Sequence, residues 1–117
     1  MSYVDGFIVP LKTENVADYK KMSKKAGKIW REHGALDYRE CALDDAIPHC
    51  GVPFGKIAKA KEGETVIFAW ILYKSKAHRN QVNKAVMADP RMDSSTNPMP
   101  FDGKRMIYGG FQMVMQA

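Results

Sequence analysis

Cysteine is scarce in this chain, and its spacing matches no signature. Cys41 and Cys50 are the only two in 117 residues, and they form neither a zinc pattern nor a CxxC redox pair. Both are expected to stay free thiols in a reducing cytosol. Histidine is equally sparse. His33, His49 and His78 make no HxxxH or HxxE pairing, which removes the usual metal motifs, and no metal is expected. Gly51, Gly55 and Gly63 are isolated, so no glycine-rich turn opens a helix to cradle phosphate. Neither a nucleotide site nor any tightly bound cofactor is expected. No run approaches the ~18–20 consecutive apolar residues of a membrane span. The opening Met-Ser-Tyr-Val-Asp-Gly lacks the basic stretch and apolar core of a secretory signal. The expected location is cytoplasmic, with no membrane partner.

What is present has ordinary globular proportions. A hydrophobic content of 45% with 26% charged residues argues against disorder, and 117 residues suit one domain spanning 1–117. With 18 Lys+Arg against 13 Asp+Glu, the net charge is +5.

Hydrophobic periodicity orders the elements. Tyr3 to Val9 is a β-rich run that the following Pro10 is expected to close. Asn15 offers an N-cap to a helix whose apolar positions fall at Val16, Tyr19, Met22, Ala26, Ile29, Trp30 and His33, with Gly34 as its stop. Leu36 to Leu43 alternates with mixed polarity, as an edge strand does. Residues 44–63 read as a long loop with a short anchored piece at Phe54, Ile57 and Ala58. Thr65 to Tyr73 is apolar on both faces, the mark of a central strand. Ser75 caps a second helix that Pro90 ends, residues 91–104 form a polar loop, and Arg105 to Met115 makes a last strand. Its Gly109-Gly110 pair predicts a bulge or a close approach of another backbone.

The order strand, helix, strand, strand, helix, strand predicts an α+β fold of ferredoxin-like βαββαβ type. Its four-stranded antiparallel sheet would carry two helices on one face. The other face would then show half of the apolar side chains of the first and third strands. Exposing each costs ~1.5–3 kcal/mol of burial, and monomers rarely leave such a patch bare. A homodimer through that open face is the expected partner arrangement.

The candidate chemistry is thin and each signal has a plainer reading. Asp5, in a central strand, is the type of residue from which proton-transfer sites are built. The plainer reading, which we favour, is a strand-end Asp satisfied by Lys104 or Arg105. His33 on the apolar helix stripe reads more simply as a core or C-terminal histidine than as a ligand. His49 and Cys50 are adjacent, which does not orient one onto the other as a catalytic pair needs. Six cations between Lys20 and Arg31 could track a phosphate backbone. With no interleaved aromatics they read better as a solvated helix face, and nucleic acid is disfavoured. Asp89, Arg91, Asp102, Lys104, Arg105 and Tyr108 are expected near one end of the sheet, to hold a carboxylate-bearing ligand or to pin the loop.

Four stretches carry a family resemblance. They are Tyr3-Val4-Asp5-Gly6-Phe7, the run from Phe68-Ala69-Trp70 to Ser75-Lys76, Ala88-Asp89-Pro90-Arg91-Met92, and the string from Pro100 to Phe111. Together they resemble the domain of unknown function 1428, or YbaA-like, family of the dimeric α/β-barrel superfamily. The middle segment from Asp44 to Cys50 departs from that pattern. The resemblance implies a dimeric α/β barrel in which ligands sit between sheet and helices or at the dimer seam. It carries over no catalytic residue. Pocket candidates on that placement are Asp5, Phe7, Trp30, His33 and Phe68, together with Trp70, His78, Arg105 and Tyr108. The expected function is binding or transforming a small molecule, aromatic compounds included, without a tightly bound cofactor. The alternatives are a non-catalytic dimeric module and an RNA-binding protein using the basic first helix.

Overall fold

The computed structural model describes residues 1–47, 49–93 and 99–117. Strand β1 (Tyr3–Lys12) leads through a 3₁₀ turn into helix α1 (Val16–Glu32). Strand β2 (Asp37–Ala42), a one-turn helix α2 (Phe54–Ile57), strand β3 (Glu64–Tyr73), helix α3 (Lys76–Met87) and strand β4 (Ile107–Gln112) follow. The four strands form one antiparallel sheet in the order β2-β3-β1-β4. This is the ferredoxin-like βαββαβ arrangement, with the two most apolar strands at its centre. Pro48 and part of the polar loop read at 91–104 lie outside the described residues.

Local chemistry accounts for most boundaries. Helix α1 stops where Gly34 takes a φ of +115°, a conformation that favours glycine. Helix α3 starts where the Ser75 hydroxyl accepts from the His78 N–H at 3.0 Å. Asn15 is the residue before α1 but makes no side-chain cap; its amide reaches the Pro100 carbonyl instead.

Two expectations about strands are corrected. Pro10 does not close β1, which continues to Lys12. The β4 ladder has already ended at Ile8↔Ile107, so only β3 runs alongside Pro10 and a missing N–H is tolerated. Strand β4 begins two residues later than expected, after a 3₁₀ turn over Gly103–Arg105, and pairs with β1 in unbroken register through Gly109 and Gly110. No bulge forms. A Cβ on Gly110 would collide with the Tyr3 hydroxyl and come within 2.8 Å of an Arg79 Nη. The glycine makes room for side chains, not for another backbone.

Strand alternation divides the sheet. Tyr3, Asp5, Phe7, Val9 and Leu11 face α1 and α3, together with Ile67, Ala69, Ile71 and Tyr73 across the β1–β3 ladder. The buried residues form two clusters. One gathers Ile29, Ile71, Tyr73, Val82 and Val86; the other gathers Val9, Leu11, Tyr19, Ile67 and Ala69. Phe7 packs against both. The opposite face is open over most of its area, with Phe68 43% and Phe111 61% exposed. Helix α2 caps one end of it: Phe54 lies 6.1 Å from the Phe68 ring, and nearby Val66 is buried. The residues read as an anchored piece in the long loop therefore form a cover for part of the open face.

Candidate functional site

Small residues leave a gap where the two clusters meet. Ala69 stands mid-strand on β3 and Ala26 faces it from α1, and around them lies a cavity of about 420 Å³. Phe7, Met22, Trp30, Met87, Met92 and Met106 provide apolar walls, and Asp5, Glu40, Tyr38, Asn83 and Tyr108 add polar groups. Flexible methionines and flat rings around a few fixed polar groups are the usual make-up of a small-molecule pocket.

Asp5 is 1% exposed and sits at the centre of a connected network. The Tyr108 hydroxyl donates to its Oδ1 at 3.1 Å. Arg79 on α3 brings its Nε to 3.6 Å from the same oxygen. Arg79 in turn donates to the Tyr3 hydroxyl at 3.0 Å and lies over the Tyr3 ring, 4.9 Å from its centroid. The Tyr73 hydroxyl accepts from Trp30 Nε1 at 3.1 Å and lies 3.2 Å from Asn83 Oδ1. Burial, and then the Asp5 charge, push both the Tyr73 and Tyr108 hydroxyls above the ordinary tyrosine range. Burial works against the Arg79 charge, but the Tyr3 hydroxyl and Asp5 hold its pKa above the usual value. The Tyr73 and Tyr108 hydroxyls therefore keep their protons and the Arg79 guanidinium its charge.

A second carboxyl borders the same cavity from β2. The Tyr19 hydroxyl donates to Glu40 Oε1, and the Tyr38 hydroxyl donates to Oε2 at 3.1 Å. Burial lifts the Glu40 pKa, and the two tyrosine hydroxyls pull it partly back. Burial and the Glu40 charge raise both tyrosines. Glu40 lies in one cross-strand row with Ala69 and Phe7, and Asp5 in the next with Ile71 and Tyr38.

Of the residues expected to line a pocket, Asp5, Phe7, Trp30 and Tyr108 meet at this cavity. Trp70 borders it from β3, though its ring packs at 5.7 Å on Phe68 across the sheet. The others lie elsewhere. Phe68 is on the open face. His33 bonds Asp89 at 2.8 Å beyond the end of α1. His78 accepts from the Lys74 N–H at 3.0 Å at the start of α3.

Arg105 forks onto Glu64, with Nη1 to Oε2 at 2.7 Å and Nη2 to Oε1 at 2.8 Å. It is therefore not the partner of Asp5, which register places opposite Gly110. The charged groups expected at one end of the sheet separate to two. Asp89 and Arg91 join His33 and Glu32 at the end of α1, while Arg105 and Glu64 close the end where Lys12 pairs with β3. The Asp89 carboxyl is held well below the usual carboxylate range, first by Arg91 and then by His33.

The six α1 cations are all exposed. Lys20, Lys24 and Lys28 line a groove between α1 and the free edge of β2. His49, Cys41 and Cys50 are exposed too, and both cysteines are free thiols. Among the described residues no group of three His, Cys, Asp or Glu could hold a metal ion, and no helix is long and apolar enough to cross a membrane.

The family described as protein of unknown function (DUF1428) matches residues 2–103. The chain belongs to this family. It is 44% identical over 115 residues to uncharacterized protein YbaA of Escherichia coli (strain K12), with 98% of each chain covered. The YbaA of Shigella flexneri matches at the same identity and coverage. Among solved structures, an uncharacterized NIPSNAP domain protein from Burkholderia xenovorans aligns with a TM-score of 0.60 at 15% identity, covering 96% of this chain and 94% of that one. That likeness is one of fold.

Within this DUF1428 chain, sequence reasoning missed Glu40, Arg79 and Tyr73 as groups of the site. A signal existed for Glu40. It alternates with Tyr38 on one face of β2, and the packing of α1 turns that face inward. For Arg79 there was none, because a single Arg on a helix reads as surface until the strand register places it over Asp5.

Proposed function

We propose that this chain binds a small, largely apolar molecule with a hydrogen-bonding head group in the cavity between sheet and helices. It does so as a homodimer and without a tightly bound cofactor. The observation that carries the reading is the placement of two carboxyls, Asp5 and Glu40, on the wall of an otherwise methionine- and aromatic-lined cavity. A gap left by imperfect packing would be lined by apolar atoms alone, since a buried carboxylate costs several kcal/mol unless it is partnered. A volume of about 420 Å³ falls in the range of ligand sites, ~300–1,000 Å³, and fits a single substituted ring. The dimer is supported by the open face, where Phe68, Ile107 and Phe111 lie exposed beside half-buried Val4, Ile8 and Leu72.

Thermal unfolding against a panel of substituted phenols, aryl alcohols and aryl amines tests the reading. At least one class should raise the melting temperature in a saturable way. The variant Ala26→Leu, which pushes a larger side chain into the cavity, should abolish that shift while remaining folded. A panel with no shift at all, or a shift unchanged in Ala26→Leu, would overturn it.

A further inference from the structure

We infer that the cavity selects an apolar ligand bearing a protonated amine, and that Glu40 is the group that receives it. This rests on the binding role proposed above and names its ligand class. The charges around the cavity point one way. Its lining includes two carboxyls, and among the described lining residues the only cation is Arg39. Arg39 is turned to the other face of β2, where its Nε pairs with Asp37 at 3.0 Å and its side chain is 64% exposed. The inward Arg79 guanidinium is already taken up by Asp5, so an anionic ligand would find no spare counter-charge among the described lining residues and would meet Glu40.

The two carboxyls differ in what they lack. Asp5 already has the Arg79 guanidinium at 3.6 Å and the Tyr108 hydroxyl at 3.1 Å. Among the described residues Glu40 is held by neutral donors, Tyr19 on one oxygen and Tyr38 on the other. Each oxygen keeps a further lone pair. A partly buried carboxylate without a cation is incompletely compensated, and a ligand ammonium would supply the missing charge through a charge-assisted hydrogen bond.

The row geometry gives the ligand its length. Phe7, Ala69 and Glu40 stand side by side on β1, β3 and β2, so Phe7 and Glu40 are two strand spacings apart, roughly 9–10 Å. Ala69 leaves the space above the middle strand empty. A ring resting there beside Phe7, on a short alkyl spacer, would bring its ammonium to Glu40. The Trp30 and Tyr38 rings, 6.2 Å apart on the same side, would add favourable faces for a cation.

The test is calorimetric titration of the full chain with three probes of one shape: 2-phenylethylamine, 2-phenylethanol and phenylacetate. The amine should bind about tenfold or more tightly than the alcohol, as expected for one charge-assisted bond, and phenylacetate should give no binding. Glu40→Gln should remove the amine preference, so that amine and alcohol bind the variant within about twofold of each other. Equal binding of amine and alcohol, binding of phenylacetate, or an amine preference that survives Glu40→Gln would each overturn the inference while leaving the cavity reading in place. No binding by any of the three would overturn both. The comparison of probes is made on the unmodified chain, so it decides the matter even if Glu40→Gln does not fold. In that case, an amine preference unaffected by Ala26→Leu would overturn the inference by placing the amine outside the cavity.

Discussion

The Tyr38 ring is seated directly on Gly27: a Cβ built on that glycine would come within 2.7 Å of the ring Cδ1. The ring of a β2 residue thus packs onto the bare backbone of α1, and it is aimed so that its hydroxyl reaches Glu40. Gly27→Ala should therefore destabilise. The alanine gains ~1 kcal/mol in helix propensity, but overpacking against a ring fixed on a strand costs ~1–3 kcal/mol. A urea titration should show a lower midpoint with an unchanged slope. A higher midpoint would mean that the ring moves aside freely.

Asp5 and Arg79 should be separable by substitution. Asp5→Leu strands a largely buried guanidinium without its carboxylate, a loss of ~3–5 kcal/mol. Asp5→Asn keeps an acceptor for the Tyr108 hydroxyl and should lose less, ~1–3 kcal/mol. The check is again equilibrium unfolding, and equal losses in the two variants would refute the role given to the Arg79 charge.

Two glutamates should give stability opposite slopes with pH. The Arg105 fork, helped by the Lys61 N–H, lowers the Glu64 carboxyl from 4.5 to about 2. Its contribution is complete above 4.5 and disappears as pH falls toward 2. Burial raises Glu40, so the folded state holds that proton more tightly than the unfolded chain. Stability therefore declines as pH climbs through the Glu40 titration. Unfolding midpoints collected across the acid range should show Arg105→Ala flattening the fall at low pH. Glu40→Gln should remove the decline at higher pH. A curve that either variant leaves unaltered would contradict the corresponding assignment.

Self-association should run through the open face. The Phe111 ring lies over Gly6 and Gly109, where a Cβ would approach it at 3.3 and 3.4 Å, yet the residue is 61% exposed. Light scattering at micromolar concentration should give twice the chain mass. Phe111→Glu should give the single-chain mass with its circular dichroism unchanged. A wild-type chain of single mass would refute the arrangement.

The topology was legible because the central strands differ in composition from the edges: Val66 to Tyr73 has to be covered on both faces, while Asp37 to Ala42 does not. The site was only half legible. Asp5, Phe7 and Tyr108 follow from strand alternation, but pairing Asp5 with Arg105 failed because register is a three-dimensional quantity. Asp5 lies opposite Gly110, whereas Arg105 stands five residues earlier, in the 3₁₀ turn that precedes β4, and forks onto Glu64. The cavity itself was invisible in sequence for a different reason. It is made by residues that do too little, Ala26 and Ala69, and periodicity counts an alanine as core like any other apolar residue. The Gly109-Gly110 pair signals a close approach, but nothing local in the sequence says that the approaching groups are the Tyr3 and Arg79 side chains.

Strand β2 is an edge of the sheet, with no strand of the described residues paired along its outer side, the kind of template onto which a second strand can add. Lys20, Lys24 and Lys28 stand beside that edge across the α1 groove. An identical chain approaching edge-on would bring its own lysines against them, and like charges at that range repel. The net charge of +5, concentrated along this helix, thus acts as a fence against runaway strand addition and keeps an exposed sheet edge compatible with a crowded solution.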